Sequence, residues 1–353
     1  MNPLPHLCCV LAALAFAQFG ACAAGRALPN PLLVKSNSLP PVSVVVVEDA
    51  QATEFFQPRA DRVRAMVARG IQEFTGKPTI AAAWLSLVGT NDTVAIKVFS
   101  SAGSVAGTRL AVVAAVVEEL IEAGLPPGNL IVWDRRRDDL ERAGFLTLAG
   151  RYGVRVTGAV EEGYDPATFY ENALMGRLAV ADKELGGEGG GMGSRRSYVT
   201  RLLTGRPVKV ISIAPLLSSN AGGTSGHLVS LATGAVDNAR RFEMNAPSLA
   251  VAAPEIYAQA NLSDRVVLCL TDGLVAQYLG EEEPRLHYST ELRQLWFGRD
   301  PVALDTLALR ALTLARQVGG VPEMPLNEEL YRNAAVMELG VCDRDRIEVK
   351  TVR

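Results

Sequence analysis

The sequence predicts an α/β fold: a mostly parallel sheet with flanking helices, built from two βαβ-type halves. Three observations carry this expectation. Short β-branched runs, among them Val42–Val47, Thr93–Phe99 and Val266–Leu270, alternate with longer stretches of helical period. The connections are short, and the most legible triplet reads strand, helix, strand, which requires a parallel pair and a right-handed crossover. The chain has 353 residues, 48% hydrophobic and 21% charged, which suits one sizeable core and excludes disordered, collagen-like and repeat classes.

The elements follow in order. Pro29, Pro31, Pro40 and Pro41 mark residues 25–41 as an extended linker, and a single α/β domain is expected over 42–350. Val42–Val47 reads as a buried strand. In Arg59–Thr75, Val63, Met66, Val67 and Ile71 share one helical face and Gly76 lies just beyond the end. Thr93–Phe99 is a strand, after which Thr108 is expected to cap a helix with Leu110, Val113, Val117 and Leu120 inward and Glu118, Glu119 and Glu122 off that face. Pro126-Pro127-Gly128 turns into the strand Leu130–Trp133; a helix over Asp138–Ala149 and a strand over Val154–Thr157 follow. The glycine-rich stretch 186–193 separates the halves, as a surface linker or as a lid. Beyond it, strands are expected at Val208–Ile213, Val266–Leu270 and Leu295–Phe297, and helices at His227–Asn238 and Pro301–Arg316.

Leu7 to Phe19 is almost wholly apolar and runs into Ala21-Cys22-Ala23-Ala24. This pattern matches the core and small-residue cleavage site of a secretory signal over residues 1–24, so export to the periplasm or the outside is expected. Two other readings stay open: a lipoprotein anchored through Cys22, and an uncleaved anchor over Leu7–Gly25. After cleavage no membrane span is expected. A formal charge of −3, no basic stripe and only 6% aromatic residues argue against nucleic acid as a partner. Only Cys269 and Cys342 lie outside the signal and no Cys-x-x-Cys occurs, so no iron–sulfur cluster of its own and no cysteine zinc site are expected. A disulfide between the two remains open.

Several stretches, in order, resemble the domain-of-unknown-function 362 family. They are Asp92–Val98 (DTVAIKV), Val116–Gly124 with Asn129–Asp134 (NLIVWD), Gly222–Gly226 (GGTSG), Ala235–Asn238 with Arg240-Arg241-Phe242, Asp272-Gly273, and Asp300–Asp305 (DPVALD). The likeness covers about residues 90 to 310. It implies an α/β fold and no agreed activity; ferredoxin-like modules fused to some relatives hint at redox work. This chain departs from the pattern at Phe99, where an Asn is usual, and at Ser218-Ser219-Asn220, where a basic residue is common.

In open α/β sheets, ligands bind beyond the carboxyl ends of the strands, near helix N-termini. Four segments fall there, each with a plainer reading. Ser100–Thr108 can bring backbone N–H groups to an anion or be a tight connection, with Lys97 at the preceding strand end. Pro215–His227, with Asn220, Gly222, Gly223 and Ser225, can cradle an oxyanion or form a glycine-rich turn. It is not a G-x-S-x-G elbow. Asp272, expected just after its strand, is a base or an Asx-type turn former. Asp300 suits a helix N-cap, and Asp305 faces either the core or a pocket.

Asn238 and Arg241 can hold an anionic ligand or serve a helix end. Asp134, Asp272 and Asp305 are hard-cation ligands by type, although no spacing demands a metal. The catalytic candidates are therefore Lys97, Asp272 and Asp305; the ligand-binding candidates are Asn220, Gly222, Gly223, Ser225, Asn238 and Arg241. Two functional classes follow: an exported enzyme acting on an anionic small molecule, or a non-catalytic ligand-binding or accessory protein of an exported redox system. The cofactor is left undefined.

Overall fold

The fold was examined in a computed structural model that describes residues 40–172 and 195–353. The expected signal segment over 1–24, most of the expected linker and the glycine-rich stretch 186–193 lie outside the described residues. Among the described residues eight strands run across the main sheet, β1 (Val42–Glu48), β2 (Val94–Val98), β3 (Leu130–Asp134), β4 (Arg155–Gly158), β5 (Lys209–Ser219), β6 (Val266–Gln277), β7 (Ser289–Gly298) and β8 (Ile347–Val352), and a ninth, Gly223–Thr224, pairs with β5 off that path. The spatial order of the eight is β8-β1-β7-β6-β5-β2-β3-β4. Among these eight, β7 pairs antiparallel with both neighbours and all other pairs are parallel, so β7 alone opposes the rest.

Helices cover both faces. α1 (Ala60–Thr75), α2 (Ile80–Leu85) and α3 (Leu110–Glu122) pack on the face that takes Val45, Val47, Ile96 and Ile211. On the other face, α4 (His227–Ala235), α5 (Ala246–Tyr257), α6 (Pro301–Val318) and α7 (Glu328–Val336) cover Val44, Val46, Ala95 and Val210. Strand alternation makes this division, since successive side chains leave opposite sides of the pleat. The chain moves outward from β2 to β3 and β4 on the first face, then returns through β5 to β6 on the other. Right-handed crossovers require that change of face when the direction along the sheet reverses. The reversal point lies between β2 and β5.

Several elements differ from the sequence reading. Thr108 does not cap α3: the N-cap residue is Arg109, whose side chain makes no cap bond. Thr108 instead accepts from Phe99 N and donates to Ile213 O, sewing the loop to β5. The helix expected over Asp138–Ala149 is two, Arg137–Arg142 and Leu146–Tyr152, broken where Gly144 takes a φ of 87°. Glu119 lies inside, not off the buried face, because α2 brings Trp84 against it and the indole Nε1 donates to Oε2 at 2.7 Å. Asp272 is within β6, which continues to Gln277, because β7 is itself longer than expected and pairs with that extension. The edge strand β8 and the hairpin Tyr164–Glu171/Arg196–Thr200 have weak apolar alternation and escaped the pattern. Cys269 and Cys342 are free thiols. Among the described residues no helix is long and apolar enough to cross a membrane.

Candidate functional site

The loops at the carboxyl ends of β2, β5 and β6 meet. Phe99, Ala102 and Ala106 pack on Leu217, Thr108 reaches β5, and Arg109 reaches β6. Each charged group brought there is already enclosed by partners.

Lys97 follows the alternation of β2 onto the α4 face and is 1% exposed. Its ammonium donates to Asp134 Oδ1 at 2.7 Å, to Val98 O at 2.7 Å and to Ser230 Oγ at 2.9 Å, which uses all three donors. Asp134, at the end of β3, also accepts from Ser100 N, Ser100 Oγ and Arg135 N. Burial works to raise Asp134, but the Lys97 charge and the Ser100 donors outweigh it and hold the carboxyl below its usual range. Gly234 of α4 makes room for the lysine stem: a Cβ there would stand 2.4 Å from Lys97 Cε.

Asp272 supplies the cap that α3 lacks. Its Oδ2 accepts from Arg109 N at 2.9 Å and Arg109 Nη1 at 3.3 Å, while Oδ1 accepts from Leu274 N. Asp305 does the same for α4, accepting from His227 N at 2.7 Å and Leu228 N at 2.9 Å. Gly226 turns tightly beneath it with a φ of 25°; a Cβ would lie 2.4 Å from the Asp305 carboxylate. Burial raises Asp305 to about 7 against its two backbone bonds. The His227 ring bridges the strands, with Nδ1 2.8 Å from Ser212 Oγ and Nε2 3.0 Å from Thr271 Oγ1, and burial lowers it to about 3. The ring is therefore neutral at physiological pH.

The glycine turn forms a hairpin, Gly223–Thr224 pairing with Ser218–Ser219. Asn220 is exposed at its tip and its N–H donates to Glu281 Oε1. Tyr331 OH donates to Gly222 O, Gly223 has a φ of 81°, and Ser225 N closes onto Leu217 O. Asn238 and Arg241 are tied elsewhere, to the hairpin Tyr164–Glu171/Arg196–Thr200. The Asn238 amide donates to Arg196 O, and Arg241 donates to Ser197 Oγ and Tyr170 O. Asp134, Asp272 and Asp305 do not combine: among the described residues no three His, Cys, Asp or Glu side chains gather as a metal-holding group.

The open space lies beside this knot. A cleft of about 710 Å³ runs from the carboxyl rim along the outer side of α3. Ala111, Ala114 and Ala115 form its floor, with Phe56, Val105 and Leu286 among the other lining residues. Arg64, Arg109, Arg142 and Arg151 line it with Asp61 and Glu118, and each arginine has a carboxylate partner: Arg64 has Glu118 and Glu122, Arg109 has Asp272, Arg142 has Asp139 and Arg151 has Glu118. Sequence reasoning misses this cleft, because its arginines come from separate elements and its alanines lie on the flank of an amphipathic helix, Ala111 and Ala114 half-buried and Ala115 buried. The run of alanines on that flank is the available signal.

No family model matches the chain, and no curated protein matches it. Among solved structures, a crystal structure of a Thermotoga maritima protein is similar, at 14% sequence identity and a TM-score of 0.40. The match covers 76% of this chain and 60% of that one, so the chain spans about three fifths of that protein's length.

Proposed function

We propose that this chain is an exported α/β protein of the domain-of-unknown-function 362 type that binds a small organic anion in the cleft along α3. The observation that carries the reading is the convergence of guanidinium groups: Arg64, Arg142 and Arg151 line one cleft, are 44%, 70% and 68% exposed, and keep donors beyond those they spend on Glu118, Glu122 and Asp139. Guanidinium donors left over from such pairs bond a carboxylate, sulfonate or phosphate oxygen that enters the cleft. Val105 and Leu286 are exposed large apolar side chains that line it, which favours a ligand with an apolar body. Binding is favoured over catalysis because Lys97, Asp134, Asp272 and Asp305 already spend their hydrogen bonds inside the protein. The family reading draws support from where its stretches fall, since Lys97, Asp134, Gly222–Gly226, Asp272 and Asp305 build the same knot at the rim.

The anionic fluorophore 8-anilinonaphthalene-1-sulfonate tests the binding reading. It is expected to bind the folded chain saturably at one site. Ala114→Trp, which fills the floor, should abolish binding while leaving cooperative unfolding intact. Neutralising Arg142 and Arg151 to Gln should weaken it roughly tenfold, the equivalent of about 1.4 kcal/mol. Equal binding by wild type and Ala114→Trp would sink the proposal. Export has its own test: intact-mass measurement of the mature protein is expected to lack residues 1–24, and a mass that includes them counts against cleavage.

A further inference from the structure

Among the described residues four lysine and arginine side chains are buried: two have a carboxylate partner, Arg241 is held by Ser197 Oγ, Tyr170 O and the rings of Tyr170 and Phe242 with its Nη1 unpartnered, and Arg316, on the α6 face, has fewer partners still. Lys97 has Asp134 and Arg109 has Asp272. Arg316, in the last turn of α6, is 1% exposed, yet among the described residues no carboxylate pairs with it. Its Nε donates to Tyr278 O at 2.8 Å, just past the end of β6, and its Nη2 has no partner. The C-terminus of a helix favours a cation, which explains why an arginine sits there. It does not explain a guanidinium whose Nη2 is left unbonded and which faces no carboxylate, because a buried charge without a counter-charge is strongly unfavourable. Burial lowers the Arg316 guanidinium from its ordinary value, with no carboxylate acting against it.

A second unsatisfied group lies on the same face. Ser218, near the end of β5, is 1% exposed and its Oγ has no partner. Leu217 pairs with Gln277 in the sheet, so Ser218 and Tyr278 occupy the next positions along adjacent strands. Alternation along β5 puts Ser218 on the side of Ser212 and Leu216, the side that α4 and α6 cover. A hydroxyl and a guanidinium, both short of acceptors, thus come to the carboxyl ends of neighbouring parallel strands, where open α/β sheets take their ligands.

We propose that Arg316 and Ser218 form a receptor for one small oxyanion, of the carboxylate or phosphate class, behind the carboxyl ends of β5 and β6. The Nη end of the planar fork donates to two oxygens of such an anion side by side, and the serine hydroxyl donates to one of them. The receptor is distinct from the arginine-lined cleft, which lies against α3 on the opposite face of the sheet.

The experiment compares thermal unfolding of the intact chain in millimolar sodium phosphate, in sodium acetate, and in sodium chloride of matched ionic strength. A rise of about 2 °C in phosphate or acetate over chloride is expected, by preferential binding to the folded state. Whichever anion gives the larger rise identifies the class. Ser218→Ala should keep a smaller response, and Arg316→Met should show none. Ala114→Trp, which blocks the α3 cleft, should respond as wild type does. The proposal is overturned by a wild type indifferent to both anions, by an Arg316→Met protein that responds fully, or by loss of the response in Ala114→Trp. Should Arg316→Met not fold, an undiminished response in Ser218→Ala overturns it equally.

Discussion

Replacing Lys97 by Met should destabilise the protein by about 3–5 kcal/mol, the usual penalty for breaking a buried ion pair from one side. The methionine retains most of the stem that packs against Gly234, so cavity formation contributes little. What is lost is the ammonium, leaving Asp134 with Ser100 and Arg135 as donors and no opposing charge in a site 6% exposed. Asp134→Asn alone should be of similar severity, since it strands the lysine. The double variant Lys97→Met/Asp134→Asn should recover much of the loss, because no buried charge remains and the asparagine carbonyl still accepts from Ser100. Urea unfolding followed by tryptophan fluorescence reports on this site directly, as Lys97 Nζ lies 5.6 Å from the Trp133 ring. A Lys97→Met protein within about 1 kcal/mol of wild type would show that the pair is dispensable.

The second large effect is a stability that rises as pH falls from 8 to about 5. Burial raises Glu119 from 4.5 to about 7, Asp305 from 3.8 to about 7, and Asp300 from 3.8 to about 6. Over that interval the unfolded chain has lost these protons and the folded chain keeps them, so rising pH removes stability. His227 acts in the opposite sense. Its folded value of about 3 lies below 6.5, so the unfolded chain alone gains a proton as pH falls through 6.5, and stability is lost on acidification. Three carboxyls outweigh one imidazole near pH 5 to 6, giving a net slope of about 2 kcal/mol per pH unit from these groups.

Glu119→Gln isolates one contribution. The amide carbonyl still accepts from Trp84 Nε1, and the amide nitrogen stands where a protonated carboxyl would place its hydroxyl. The variant should gain up to about 3 kcal/mol at pH 8, gain nothing near pH 4, and show a flatter profile between. Denaturant midpoints at a series of pH values read this out. A variant whose profile parallels the wild type would mean that Glu119 is ionised in the folded protein at neutral pH.

The strand-end knot was legible in parts. Lys97 was visible because a lone lysine within an apolar strand run needs a partner, yet that partner, Asp134, stands 37 residues on. Asp272 and Asp305 were visible as carboxylates near strand and helix ends, but their partners are helix N-termini 163 and 78 residues away. Capping was expected from local neighbours, and Thr108 was the local candidate; a distant aspartate outcompeted it because the hydroxyl was already bonded across to β5. Arg316 gave no signal, since one basic residue in the last turn of a helix is ordinary until its surroundings are known.

By itself, the sequence determined the alternation of strands and helices, the parallel pairing of β2 with β3, and the buried faces of α1 and β1. These depend on hydrophobic period and turn chemistry, which act over a few residues. Tertiary structure alone decided the reversal of β7, the lengths of β5 and β6, the interior place of Glu119 and the location of open space. Those outcomes depend on which surfaces remain to be covered after the strands have paired. A buried carboxylate and a solvated one, or a capped helix and an uncapped one, look the same along the chain and differ only in what the rest of the fold brings to them.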